Sequence, residues 1–277
     1  MLFALWALFA FAVLLCLFFL YLWAIAPARK PFPPGLQKNV LYAHRGLHDG
    51  NRAVYENSLK AFALAVEHGY GMEMDLQTTK DGKVVIHHDL NTQRVCGVNA
   101  VIEQTAYADL PRLPDGEPIP LFEDLLTLIA GKAPLIIELK HHSEYKRTVR
   151  EALRLLERYE GTYCLESFHP IILKTLRGLA PQLLRGQLSS GNLSKEIKPM
   201  QAFLLKHLLL NRFSRPHFIA YDFSHSRTPS LWLNRLLFRP LLIAWTIRNQ
   251  KDLDEALKRY DTAIFEGFLP SSNPSHT

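Results

Sequence analysis

The chain is 277 residues long, 48% hydrophobic and 21% charged, and its 32 Lys and Arg against 26 Asp and Glu give a formal net charge of +6. That length supports one large core, since barrels of about 250 residues fold as single domains. Cys16, Cys96 and Cys164 are too sparse for a disulfide framework or a zinc pattern; the basic residues are scattered and no helix-turn-helix or RNA-binding signature occurs, so nucleic acid is set aside and the positive balance suits anionic lipid heads or phosphate substrates.

Residues 1–28 carry no charged side chain and are dominated by Leu, Phe, Ala and Trp. This exceeds the about 20 apolar residues that span a bilayer, so a single transmembrane anchor is expected. A secretory signal is the rival reading, because Ala24 and Ala26 have the small-residue spacing of a cleavage site. It is the weaker one: no basic stretch precedes the apolar run, and the run is longer than the about 7–15 residues of a signal core. Arg29, Lys30 and Lys38 all follow the span, which by the positive-inside rule puts the rest of the chain on the cytoplasmic side. Residues 29–39, with Pro31, Pro33 and Pro34, read as a stiff linker.

From residue 40 the chain alternates strand-like apolar runs with helical patterns. Strands are expected at 40–44, 71–77, 135–139, 163–167, 184–188, 218–223, 242–247 and 263–266. Helices are expected at 58–67, 122–129, 144–158, 170–179, 199–212, 230–238 and 253–260. Eight βα-type repeats imply a parallel sheet closed into a TIM-like (β/α)8 barrel over residues 40–270, with too little chain after the last strand for an eighth outer helix. A further apolar run at 84–88 follows Lys80-Asp81-Gly82-Lys83, and Asp-Gly between two such runs signals a hairpin. It is read as an antiparallel arm after the second strand. Residues 271–277 form a polar tail expected to fray.

Glu73 and Asp75 lie two apart on one strand and share a face, and Glu138 and Lys140 repeat that spacing at the end of another. Three carboxylates near strand C-termini, the end where barrels of this kind carry their sites, suit a hard divalent cation. His44-Arg45-Gly46 ends the first strand and His88-Asp89 ends the hairpin arm. Two histidines flanking a metal-bound phosphodiester can divide the proton transfers. Arg45 offers a planar fork for phosphate oxygens, and Gly46 permits close backbone approach. His87, His141, His142 and His169 are read as structural or solvent-exposed.

The runs Ala43-His44-Arg45-Gly46, Glu56-Asn57-Ser58, Glu73-Met74-Asp75, Val85-Ile86-His87-His88-Asp89, Ile137-Glu138-Leu139-Lys140 and Ala244-Trp245-Thr246-Ile247-Arg248-Asn249 resemble, in order and spacing, the glycerophosphodiester phosphodiesterase family. The resemblance implies that His44 and His88 are the acid/base pair and that Glu73, Asp75 and Glu138 ligate calcium or magnesium. It implies phosphate-binding roles for Arg45 and Lys140, an acid near the metal at Glu56, a supporting or helix-capping role for Asn57, and a glycerol-pocket aromatic at Trp245, for which a place in the core is the competing reading. The implied reaction releases glycerol phosphate and an alcohol, through attack by water or by the neighbouring glycerol hydroxyl. Tyr55 stands where the family usually has proline, and Phe265-Glu266-Gly267 where a Thr-Asp pair is usual, departures expected to alter the pocket rim and substrate choice.

The apolar and basic stretches around 200–213 and 231–238 pack on the barrel or lie on a lipid surface, and the second alternative suggests a membrane lipid partner and a lysophospholipid substrate. Lysophospholipid or sphingolipid diesters are the rival substrates. A metal amidohydrolase barrel would want an early His-x-His pair, absent at His44-Arg45-Gly46, and a decayed scaffold would have lost an acid or histidine that this chain retains.

Overall fold

The computed structural model describes residues 2–38, 40–193 and 197–271, so the expected tail falls almost wholly outside the described residues. A 24-residue helix, α1 (Leu2–Ile25), precedes the barrel; its side chains are exposed along nearly its whole length, and only Ile25 is fully buried. This helix is long and apolar enough to cross a membrane.

Eight parallel strands form the barrel: β1 (Tyr42–Ala43), β2 (Gly71–Thr78), β4 (Leu135–Leu139), β5 (Tyr163–Ser167), β6 (Arg185–Ser189), β7 (Phe218–Asp222), β8 (Leu241–Ile247) and β9 (Thr262–Phe265). Each pairs with its neighbours in that order, and β1 closes the ring by pairing with both β9 and β2. β3 (Val84–Ile86) runs antiparallel to β2, with Leu76 opposite Ile86, as the Asp-Gly turn predicts. The outer helices are α2 (Leu59–Glu67), α4 (Phe122–Ile129), α5 (Tyr145–Leu156), α6 (Pro170–Leu179), α7 (Pro199–Lys206), α8 (Asn211–Ser214), α9 (Pro229–Leu233) and α10 (Gln250–Leu257), with a short α3 (Gln93–Cys96) beside the hairpin. No helix follows β9 among the described residues.

Strand periodicity decides what each residue meets. Met72, Met74, Leu135, Ile137, Leu139 and Leu165 point outward into the layer between strands and helices. Their neighbours Tyr42, Ile136, Cys164, Phe218, Ala220, Ile243 and Ile264 point inward and fill the lower lumen. Being buried on both faces, the strands read as continuous apolar runs, which is why they are conspicuous in the sequence. Glycine makes room where the inward layer is crowded: a Cβ on Gly186 would collide with the Phe218 ring.

Three expectations change. The helix expected at 199–212 is two pieces, because Leu208 takes a left-handed conformation (φ 55°) between α7 and α8. The helix expected at 230–238 is an α-helical turn followed by a π-helical one, Asn234–Phe238. That expected at 253–260 starts earlier, at Gln250, because the Asn249 side chain caps it by accepting from the Asp252 N–H at 2.9 Å. The linker touches the barrel: Phe32 and Leu36 pack into the cluster at the lower barrel end, and the Gln37 N–H donates to the Tyr42 hydroxyl at 3.2 Å. The end of α1 is fastened as well, since the Ile25 carbonyl accepts from the buried amides of Asn211 (3.1 Å) and Asn234 (3.3 Å).

Candidate active site

The inward-facing positions turn polar one step above the apolar lumen, at the C-terminal ends of the strands. Glu73 and Asp75 from β2, Glu138 from β4 and Glu166 from β5 follow the inward parity, and all four are buried. Oxygens of Glu73, Asp75 and Glu138 lie within 4.8 Å of one another. His44, Arg45, Glu73, His88, Glu138 and Trp245 line one cavity of about 340 Å³ with Leu188 and Ile264 among its apolar lining.

The turn after β1 is held in place from several sides. Arg45 is left-handed (φ 56°), as is Gly46 (φ 80°), and a Cβ on Gly46 would come within 2.8 Å of Ala61. The Arg45 N–H donates to Glu73 Oε2 at 3.1 Å, its guanidinium Nη1 donates to Glu56 at 2.7 Å, and its Nε lies 3.4 Å from Asp75. Asn57 donates its side-chain amide to Asp75 Oδ2 at 2.9 Å and its N–H to the Arg45 carbonyl at 2.8 Å. The cap of α2 is Ser58 instead, whose hydroxyl accepts from the Ala61 N–H at 3.1 Å. Glu56 is held by cations, joining Arg45 to Arg94, which pairs with it at 2.6 Å and with Asp89 at 2.6 Å.

Both histidines have one ring nitrogen tied to a carboxylate. His44 Nδ1 lies 2.6 Å from Glu266 Oε2, while its Nε2 is 3.8 Å from Glu73. His88 Nδ1 lies 2.7 Å from Asp89 Oδ1. The Lys140 ammonium sits between Asp75 (2.8 Å) and Glu138 (2.9 Å). Trp245 is half-buried on the cavity wall, edge-on to Phe168 at 5.4 Å.

Burial sets most of the electrostatics. It raises the Glu73 pKa well above the usual carboxylate range, with Asp75, Glu138 and Glu166 adding to the effect. It raises Glu138 and, more strongly, Glu166, whose neighbours Glu138 and Asp75 push the same way. Asp75 is the exception, because Lys140, His88 and Arg45 outweigh its burial and hold it well below that range. Burial lowers His44 against the pull of Glu266, and the hydrogen bond to His44 holds Glu266 down at about 2. Glu166 Oε2 is buried with no hydrogen-bond partner among the described residues. Several buried carboxylates converging, one with an orphaned oxygen, form a donor set that fits a hard divalent cation.

Glu266, Glu166, Arg94 and Asp222 were not singled out by the sequence as members of this site. Glu266 looked like a change at the rim, yet it contacts His44 directly. A signal existed for it and for Glu166 and Asp222, since each stands two residues after an inward apolar residue of its strand: Ile264, Cys164 and Ala220. Arg94 carried none, lying in an excursion without clear periodicity. The other histidines are structural or stand at the margin. His142 is buried between Glu103 (3.1 Å) and Thr148 (2.8 Å), His87 is buried beside the Asn91 carbonyl (3.2 Å), and His141 and His169 stack with ring centroids 3.8 Å apart.

The family model of the glycerophosphoryl diester phosphodiesterase family matches residues 44–267. The chain belongs to this family, whose members are phosphoric diester hydrolases. It is similar to a glycerophosphodiester phosphodiesterase of Caldanaerobacter subterraneus, 26% identical over 235 residues, covering 80% of this chain and 90% of the relative. A shorter stretch, 43% identical over 70 residues, matches human lysophospholipase D GDPD1, covering 25% of this chain and 21% of that one. Among solved structures, an Oleispira antarctica phosphodiesterase in complex with the product sn-glycerol-3-phosphate superposes with a TM-score of 0.66 at 23% identity, over 82% of this chain and 92% of that one. At that identity the likeness concerns the fold.

Proposed function

We propose that this phosphodiesterase hydrolyses glycerophosphodiesters to glycerol 3-phosphate and an alcohol, with His44 and His88 as the acid/base pair. The observation that carries this reading is the paired geometry of the two histidines: each has Nδ1 taken by a carboxylate, Glu266 or Asp89, which leaves Nε2 for the cavity shared with the carboxylate cluster. One ring removes the proton from the attacking hydroxyl, and the other protonates the departing alkoxide. Glu73, Asp75 and Glu138 would hold calcium or magnesium, which when bound would offset the charge gathering on the phosphate oxygens. Arg45 and Lys140 bind those oxygens, Glu56 and Asn57 orient Arg45 and Asp75, and Trp245 with Phe168 walls the glycerol side. For Lys140 this role requires giving up its carboxylate partners to the cation.

In this reading residues 1–28 are a retained single-pass anchor and residues 40–270 the catalytic barrel, with residues 29–39 joining them and the barrel on the cytoplasmic side. The burial of Ile25 and the two amides on its carbonyl support retention, because cleavage after Ala26 would remove a side chain and an acceptor from the barrel's own packing. The intact mass of the membrane-extracted protein tests this, a chain beginning near Pro27 being the contrary result. For the reaction, the full chain in detergent is assayed for glycerol 3-phosphate release from glycerophosphocholine with calcium, magnesium or EDTA. Release that requires a cation and is lost in both Glu73→Ala and His88→Ala is expected; release in EDTA, or an active His88→Ala, would overturn the assignment.

A further inference from the structure

A second cavity, of about 730 Å³, opens from the same site and runs outside the barrel wall between α6 and the α7–α8 pair. At its inner end it is lined by His88, Glu138 and Lys140 and shares Phe168 with the first cavity. Away from that end the lining becomes apolar, through Ile171, Leu204, Leu205, Leu210 and Phe213. The groove therefore changes along its length from phosphate-binding chemistry to hydrocarbon chemistry.

Its outer wall is also where the N-terminal helix meets the barrel. α8, which supplies Phe213, carries the Asn211 amide bonded to the Ile25 carbonyl and the Arg212 guanidinium 5.4 Å over the Trp23 ring. Met200, Phe203 and Phe213 on these helices are exposed, and Lys174 lies 4.4 Å over the Phe213 ring. Exposed apolar side chains edged with cations suit the interface of an anionic bilayer.

We infer that this groove holds the single acyl chain of a lysophospholipid, which enters from the bilayer with its phosphodiester at the His44–His88 site. This rests on the proposed function and narrows its substrate class. One groove accommodates one chain, and its continuity with the reaction site lets the same molecule occupy both. In net terms water is added across the bond from phosphorus to the head-group oxygen: that bond breaks, phosphorus gains the hydroxyl oxygen, and the head-group alkoxide takes up the proton, leaving monoacylglycerol phosphate and the free alcohol.

The test uses the full chain in phosphatidylcholine vesicles containing phosphatidylglycerol, comparing palmitoyl lysophosphatidylcholine with glycerophosphocholine for wild type and Leu204→Trp. Filling the groove with the indole is expected to lower kcat/KM for the lysolipid by about tenfold or more, with glycerophosphocholine turnover within about twofold of wild type, which also reports correct folding. Equal losses on both substrates, or glycerophosphocholine turnover by a wild-type chain inert toward the lysolipid, would overturn the groove and leave the proposed function standing. Should neither diester be cleaved with calcium or magnesium present, the proposed function fails. The groove is then judged by equilibrium dialysis of radiolabelled lysophosphatidylcholine, where about tenfold weaker retention by Leu204→Trp supports it and equal retention refutes it.

Discussion

The lower and upper halves of the barrel lumen are built from the same strands facing the same way, and they differ completely in chemistry. Inward apolar residues are followed two positions later by a polar or site residue: Tyr42 by His44, Ile136 by Glu138, Cys164 by Glu166, Ala220 by Asp222, Ile243 by Trp245 and Ile264 by Glu266. One layer is apolar and buried; the next crowds carboxylates into a buried space where they repel one another. The pleat lets a strand change role within one side-chain repeat, so stability and reactivity stay in contact without sharing residues. The lower layer stabilises the fold, and the upper layer draws on that stability.

The sharpest way to break the comparison is to cut once in each layer. Phe218→Ala should cost about 3–5 kcal/mol, because the buried ring fills the space left by Gly186, while kcat of the folded protein changes little. His88→Ala should do the reverse, lowering kcat by about 10²–10⁴-fold with little change in melting temperature. Thermal melts followed by circular dichroism, beside glycerol 3-phosphate release, check both. A Phe218→Ala protein that is stable but inactive would show that the layers are not separable.

Glu266→Gln comes next. The charged carboxylate raises His44's proton affinity through the hydrogen bond and its charge, so its neutralisation should move the His44 limb of the pH–activity profile to lower pH. The accompanying loss in kcat should be about 10–100-fold, as for other orienting carboxylates. An unmoved profile would make Glu266 a packing residue only.

The smallest effect is expected for Glu166→Gln in metal-free protein, a gain of about 1–3 kcal/mol from removing a buried, unpartnered carboxylate. Because the folded-state pKa of Glu166 lies above its unfolded value, its stabilising contribution is full below the ordinary carboxylate range and is lost as pH rises through the raised value. The gain should therefore grow with pH across that window and shrink when calcium or magnesium is added. Melting temperatures over a pH series with EDTA or cation measure it, and a pH-independent difference would count against the buried-charge explanation.

How much of this was legible in the sequence follows from the same layering. The strands stood out because both their faces are buried, and the hairpin because Asp81-Gly82 lies between two apolar runs. Glu73 with Asp75, and Glu138 with Lys140, were legible because each pair lies two apart, the first on β2 and the second across the end of β4. Glu166 and Glu266 had only their inward parity to mark them: Glu166 is the single acid of its strand, and the partner of Glu266 lies 222 residues away. The excursion from 91 to 121 builds a small core of its own around Val95, Ile102, Leu113 and Ile119 and supplies Arg94, with too little regular repeat to read beforehand. The break between α7 and α8 was hidden because Leu208, an ordinary helix former, takes a left-handed conformation there.

The two asparagine amides on the Ile25 carbonyl make the junction between the N-terminal helix and the barrel a weld rather than a hinge. A catalytic domain on a loose tether samples every orientation and meets its substrates from all directions. If α1 is the retained anchor proposed above, a barrel fastened to it in this way would keep a fixed tilt, its search for substrate would become two-dimensional, and the direction its mouth faces would be set when the helix inserts.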